Sequence, residues 1–286
     1  MIAILTSGLT IGVIYALIAV AIVITFNVTG IYNFATGGIS VIAGMSAAAL
    51  ISTGVAPILA LLVAVVVSIA VSWLSALLII PASKRLEPLA LLLLTVGIAL
   101  ALEGAGVFIW GPARVRFEPF ISGYLEFSQG RIPYYTIVLV GLSIALGVLI
   151  RLSFTRSSIG RVVRANVLDR ETTRLMGIKP ERLALGALLI SGFIAGAVGF
   201  LITPVIGMGY SDGINLSVIG VVVAIIAGTY SPAGAIAVGV GLGVIESLAA
   251  GYLPSGSSNV AAYILLLIIL LLRPQGLFGA PAAKRI

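Results

Sequence analysis

The sequence contains no cysteine and no histidine, and only 9% of its 286 residues are charged. Without cysteine there is no disulfide and no thiolate chemistry. Without histidine the chain lacks the commonest transition-metal ligand and the usual proton carrier at neutral pH. H-E-x-x-H and every other histidine-based metal motif are thereby excluded. None of the three lysines, Lys84, Lys179 and Lys284, follows the glycine that a phosphate-cradling loop requires, and G-x-S-x-G is absent. Energy from nucleotide hydrolysis would have to come from another chain.

Charge is missing altogether from Met1 to Ser83, and Leu183 to Leu272 holds only Asp212 and Glu246. Each run exceeds the ~20 apolar residues that span a bilayer. With 60% hydrophobic residues, the chain has too little polar surface to clothe a soluble domain. Backbone groups in lipid are satisfied only in helices or closed barrels. A barrel needs alternating segments of ~10 residues, whereas Ala60–Ala70 and Ala262–Leu272 are apolar on every side. The expected fold class is an all-α polytopic membrane protein with about 8–10 transmembrane helices. No Lys or Arg precedes the first apolar run, so Ile2 onward reads as a mature span and not as a cleaved signal peptide.

Hydrophobic runs and their breakers place about nine spans near 3–25, 35–52, 56–80, 89–110, 134–151, 183–202, 215–229, 233–251 and 259–272. The second and seventh are short and rich in glycine, so either could be a broken or re-entrant helix, the second over 27–44. The whole of 1–286 reads as one transmembrane domain with a large loop at about 152–182.

A net charge of +7 raises nucleic acid as a partner, but the location of the charge argues for membrane lipid and no nucleic acid. Arg151, Arg156, Arg161, Arg164, Arg170, Arg174, Lys179 and Arg182 crowd into that one loop. A basic excess in a short loop marks the cytoplasmic side. Alternation then puts Lys84, Arg85, Arg273, Lys284 and Arg285 inside as well, with the N-terminus outside and the C-terminus inside. It also puts Gly111–Pro133 outside, where Phe117, Phe120, Tyr124, Phe127, Tyr134 and Tyr135 suit an interfacial belt.

Glycines spaced by four, Gly8/Gly12, Gly192/Gly196 and Gly239/Gly243, with Gly199 extending the second pair, let helices approach closely in lipid. They read as packing positions. Candidate pathway residues lie where polar, glycine-punctuated stretches interrupt apolar runs. Asn27 opens one such stretch. Thr29, Asn33, Thr36 and Ser40 recur at spacings of four, three and four, as one face of a helix would. Thr203–Asn215 and Ala227–Gly234, the latter holding Thr229 and Tyr230, are interrupted in the same way. Broken segments in two halves point to a midplane pathway; the competing reading is a turn whose polar groups bind neighbouring helices. Glu103 and Glu246 sit within apolar spans, where a carboxylate is expensive. Each is either a protonated carboxyl bonded to a neighbouring backbone, a polar lining of the route, or a group that couples to protons.

The loop from Ser157 to Pro180 reads as structured. Asn166 can cap a short helix, Asp169 and Glu171 suit its first turn and Arg174 its last. Gly177 can end it in a left-handed turn, and Pro180 can open the next helix. Leu168, Leu175 and Met176 form a small apolar face, fit for a groove on a partner or for lipid headgroups.

Three blocks in order carry a family resemblance. The first is Gly12–Ala19 with Tyr32-Asn-Phe-Ala-Thr-Gly37. The second is Gly160-Arg-Val-Val-Arg-Ala165, Asp169 and Leu175–Ile178, running into Gly192–Gly199. The third is Gly239–Glu246, Tyr252 and Arg273-Pro-Gln-Gly-Leu-Phe-Gly279. Over essentially its full length the chain resembles the branched-chain amino acid ABC transporter permeases. The resemblance implies a fold similar to type II importer permeases and a bacterial or archaeal inner membrane. It implies a second permease subunit, identical or not, two cytoplasmic ABC ATPases and an extracytoplasmic solute-binding protein. This chain would hold no cofactor, ATP and Mg sitting on the partner ATPase. Asn166, Leu168, Asp169, Thr172, Leu175, Met176 and Gly177 would form the ATPase-coupling helix. The family commonly has His where Thr36 stands, and a Gly-Gly-x-Gly-Ser-like turn where this chain has Ala227–Gly234. Branched-chain amino acids are therefore the default solute, with urea, short amides and other small polar solutes as alternatives. A stand-alone secondary transporter or channel using Glu103 and Glu246 is the rival reading.

Overall fold

The computed structural model describes residues 2–121, 123–127, 130–156, 160, 177, 179–252, 264, 267–269, 271–273 and 275–278. Its helices are α1 (Ile2–Thr29), α2 (Ala35–Ser52), α3 (Pro57–Ala82), α4 (Pro88–Trp110), α5 (Tyr134–Arg156), α6 (Pro180–Ile206), α7 (Asp212–Ala227) and α8 (Pro232–Tyr252). Six of these, α1 to α4, α6 and α8, are long and apolar enough to cross a membrane. The apolar part of α5, Tyr134–Ile150, and all of α7 are shorter. The expected ninth span, 259–272, falls mostly outside the described residues. The all-α class holds, with one addition: β1 (Tyr124–Phe127) pairs antiparallel with β2 (Gly130–Pro133), Tyr124 opposite Pro133.

Helix ends follow local chemistry. Prolines open α3, α4 and α6 within the first turn, where the missing N–H costs nothing. Gly111 and Gly207, with φ of 81° and 73°, end α4 and α6 in a backbone conformation that favours glycine. The stretch 27–44 is divided between two helices. Only residues 30–34 leave the helix, after Gly30 turns the chain at φ 77°.

The chain forms two compact units, and three of the four divisions fall inside α1, α5 and α7, the fourth between α4 and β1. In the unit of residues 24–119 and 150–218, α6 packs on α3 and α2, and α2 also packs on α4. Ala60, Ala64, Ser68, Ser72 and Ala76 occupy every fourth position of α3, and all are buried. This small-residue stripe meets Gly192 and Gly196 of α6, where an added Cβ would collide with Ser72 and Ser68. The Ser72 hydroxyl donates to the Leu188 carbonyl at 2.6 Å, a membrane-type bond worth about 0.6 kcal/mol. Further along α6, Gly199 lies against the Ser40 carbonyl of α2. In the unit of residues 1–23, 120–149 and 219–286, Gly8 and Gly12 of α1 pack against Gly239, Val240 and Gly243 of α8. Two of the glycine pairs singled out in the sequence are thus partners of one another.

The outward faces of α3 and α4 expose Leu62, Val66, Leu77, Leu89, Leu93 and Phe108, an apolar surface suited to lipid and unsuited to water. The aromatic belt expected on 111–133 is partly core. Phe117 is buried against Phe200, ring centroids 5.5 Å apart, and Tyr135 is buried too. Phe120, Tyr124 and Tyr134 remain exposed.

Candidate translocation site

The break between α1 and α2 is held from two sides. Asn33 Oδ1 accepts the Ala35 N–H at 3.1 Å, and the Thr36 hydroxyl donates to the Asn33 carbonyl at 3.0 Å. These two bonds restart the helix. From α4, the Thr95 hydroxyl accepts the Phe34 N–H at 3.3 Å. From α7, the Ser217 hydroxyl accepts the Gly37 N–H at 2.9 Å and donates to the Phe34 carbonyl at 2.5 Å. Any side chain at Gly37 would strike the Gly213 carbonyl and Ser217.

The single helical face read from the spacing of Thr29, Asn33, Thr36 and Ser40 does not exist. Thr29 ends α1, Asn33 lies in the break, and Thr36 and Ser40 are on α2. Gly30 interrupts the period, and a four-residue spacing carries no face across a chain break. Thr36 and Ser40 are wholly buried and Asn33 is 2% exposed. Three buried polar atoms here have no hydrogen-bond partner: Asn27 Oδ1, Asn33 Nδ2 and Ser40 Oγ. Such atoms are uncommon in native proteins, and here they gather on the sequence stretch singled out for its polarity.

Glu103, on α4, accepts the Ile214 N–H through Oε1 at 3.2 Å. It thereby meets the first turn of α7, where the helix dipole favours a carboxylate. The bond is to the backbone of a neighbouring helix. Glu246, on α8, is half-buried and hydrogen-bonded by Tyr15, while its Oε2 is buried without a partner. No short bond joins either carboxylate to a base among the described residues.

Thr229 and Tyr230 occupy the turn between α7 and α8, and Tyr230 is 63% exposed. There the closing motif folds back. Leu277 and Phe278 donate their N–H groups to the Ile226 and Ala227 carbonyls at 2.8 and 3.0 Å, capping α7. Gly276 lies directly on Gly228, with no room for a side chain at position 276. Two ion pairs also join distant segments: Arg114 with Asp212, and Lys84 with Glu181. Neither pair, nor Thr95 or Ser217, was legible as a site. Lone hydroxyl residues in apolar helices were the available signal.

Of the coupling-helix residues, Asn166, Leu168, Asp169, Thr172, Leu175 and Met176 lie outside the described residues. Gly177 is described, exposed, with φ 80°, the left-handed turn expected of it.

The architecture is that of a polytopic helical membrane protein with a broken, hydrogen-bonded helix pair. The profile described as "branched-chain amino acid transport system / permease component" matches residues 4–273, and the chain belongs to that family. The permease protein BraD of Pseudomonas aeruginosa, of a high-affinity branched-chain amino acid transport system, is 27% identical, covering 99% of this chain and 97% of its own. LivH of Escherichia coli is 24% identical over 98% of this chain and 96% of its own length. A probable LivH of Methanocaldococcus jannaschii is 27% identical over 94% and 89%. The solved structure of PsaBC from Streptococcus pneumoniae in complex with Fab shares the fold. Its TM-score is 0.54 at 16% identity, covering 94% of this chain and 91% of that one. The chain is accordingly a multi-pass transport subunit of an ATP-binding-cassette importer and not an enzyme.

Proposed function

We propose that this permease imports branched-chain amino acids or closely related small polar solutes across a bacterial or archaeal inner membrane. The observation that carries the reading is the unbroken family match over residues 4–273, with relatives in both bacteria and an archaeon. Its partners are a second permease subunit, two cytoplasmic ABC ATPases carrying ATP and Mg, and an extracytoplasmic solute-binding protein. Segment 152–182, with the helix from Asn166 to Gly177, meets an ATPase groove. The N-terminus lies outside and the C-terminus inside.

Three tertiary pairings support the alternation of sides on which that orientation is built. Lys84 with Glu181, Arg114 with Asp212, and Leu277 with Ile226 each join segments that charge alternation assigns to one side. The unpartnered polar atoms of Asn27, Asn33 and Ser40 support a place for the α1–α2 break on the route. The test is reconstitution of the complex in liposomes with the external binding protein. ATP-driven uptake of L-leucine, lost on ATP depletion, is expected. Uptake by this polypeptide alone under a proton gradient would refute the reading.

A further inference from the structure

After α4 the chain forms a strap that meets the segment following α6. Val115 and Met208 exchange both backbone hydrogen bonds at 2.8 Å, as one isolated antiparallel bridge. The Arg114–Asp212 ion pair, with side chains 55% and 23% exposed, and the Arg116 bond to the Pro204 carbonyl flank it. The Met208 side chain is wholly buried. It reaches α2, since a Cβ added at Gly44 would stand 3.2 Å from Met208 Cε. All of these residues belong to the unit of residues 24–119 and 150–218.

This closure is built to part. An ion pair so exposed holds weakly, and a single bridge has no ladder of further bonds behind it. Gly111 and Gly207, at φ 81° and 73°, stand at the helix ends where hinge rotations are absorbed. Pro204 removes one backbone bond from the last turn of α6. Methionine itself is unbranched and repacks easily.

The position of the closure gives it a role. Gly44 lies one turn past Ser40, whose buried Oγ has no partner, and about 13 Å along α2 from Ala35 at the α1–α2 break. Along one helix, unpartnered polar groups are followed by an apolar stopper. An apolar constriction excludes water and polar solutes until it is widened, and Ser40 gains a partner only when one of them reaches it.

We propose that Met208 is the stopper of an external gate, latched shut here by the Val115–Met208 bridge and the Arg114–Asp212 clamp. Releasing the latch draws Met208 off Gly44 and opens the way to Ser40 and the break. The external placement and the route both rest on the importer reading.

The absence of cysteine allows two tests on the whole complex. A Ser40→Cys reporter in intact cells, treated with a membrane-impermeant methanethiosulfonate, reads access from outside. Adding Met208→Ala, or Arg114→Ala with Asp212→Ala, should raise its labelling rate at least fivefold. For the second test, Val115→Cys is combined with Met208→Cys. A hydrogen-bonded antiparallel pair sets its Cα atoms about 5.5 Å apart, within disulfide reach. Oxidation should cut ATP-driven leucine uptake at least tenfold and reductant should restore it, whereas neither single variant should respond to oxidant. Labelling unchanged by both sets of latch variants, or uptake indifferent to a completed 115–208 disulfide, overturns the proposal. So does labelling that rises only in inside-out vesicles. Leucine uptake with unchanged labelling removes the gate and leaves the importer standing. Raised labelling in a complex that takes up no leucine, even unmutated, removes the importer reading and leaves the gate.

Discussion

Arg114 holds Asp212 with two nitrogens, Nη1 at 3.1 Å from Oδ1 and Nη2 at 2.9 Å from Oδ2. Asp212 Oδ2 also accepts the Gly209 N–H at 2.8 Å, and Arg116 Nε donates to the Pro204 carbonyl at 3.0 Å. The loop after α4 is thereby tied to the turn between α6 and α7. Arg114→Ala should cost about 1 kcal/mol, typical of a partly exposed but bidentate pair. Thermal unfolding of R114A, D212N and the double variant in detergent reads the coupling. Strict additivity would mean that the clamp contributes nothing.

Gly37 and Gly97 make opposite predictions. Gly37 faces the Gly213 carbonyl and Ser217 with no room for a Cβ, whereas nothing lies within 4 Å of a Cβ added at Gly97. Gly37→Ala should destabilise by about 1–3 kcal/mol, as overpacking does. Gly97→Ala should be neutral or slightly stabilising, since alanine is the better helix former by about 1 kcal/mol. Comparing the midpoints of heat-induced aggregation for the two variants decides it.

The Glu103 bond to Ile214 N–H needs only an acceptor oxygen. Glu103→Gln keeps a carbonyl oxygen and should preserve both stability and ATP-driven uptake. Glu103→Ala should lose about 0.5–2 kcal/mol, the range for a lost helix cap. Uptake abolished in E103Q, with the protein still folded, would restore a proton-coupling role.

Gly177 holds φ 80°, a conformation closed to proline. Gly177→Pro should abolish ATP-driven uptake and ATPase co-purification while the permease stays in the membrane. Leu175→Asp, on the face assigned to the ATPase groove, should do the same. Normal transport by both variants would remove the docking role of this segment.

Absence of cysteine makes accessibility labelling clean. Cysteines placed singly at Arg161 and Lys179 should react with a membrane-impermeant maleimide only after the cells are opened. One at Tyr124, which is 59% exposed, should react in intact cells. Labelling of Arg161 or Lys179 variants from outside reverses the orientation.

Helix positions were legible because they follow from local hydropathy. The second span, placed at 35–52, is α2 at Ala35–Ser52, and α4 was placed within a residue of Pro88–Trp110. Glycine spacing marked Gly12 and Gly243 as close-approach positions, since only a missing Cβ allows such contact, but not that they meet each other. The period through Thr29, Asn33, Thr36 and Ser40 misled, because Gly30 breaks the helix in its midst.

By itself the sequence determined that this chain lives in a bilayer as packed helices, because apolar runs without charge have no other stable environment. Its ordered motifs determined the family. Only the tertiary structure decided that Glu103 bonds the start of α7, that Ser217 staples the α1–α2 break, and that Lys84 meets Glu181 across a cleft. Those partners stand dozens to nearly two hundred residues apart in the chain. Hydropathy and periodicity are properties of neighbours along the chain, whereas a hydrogen bond or an ion pair depends on which segments packing brings together.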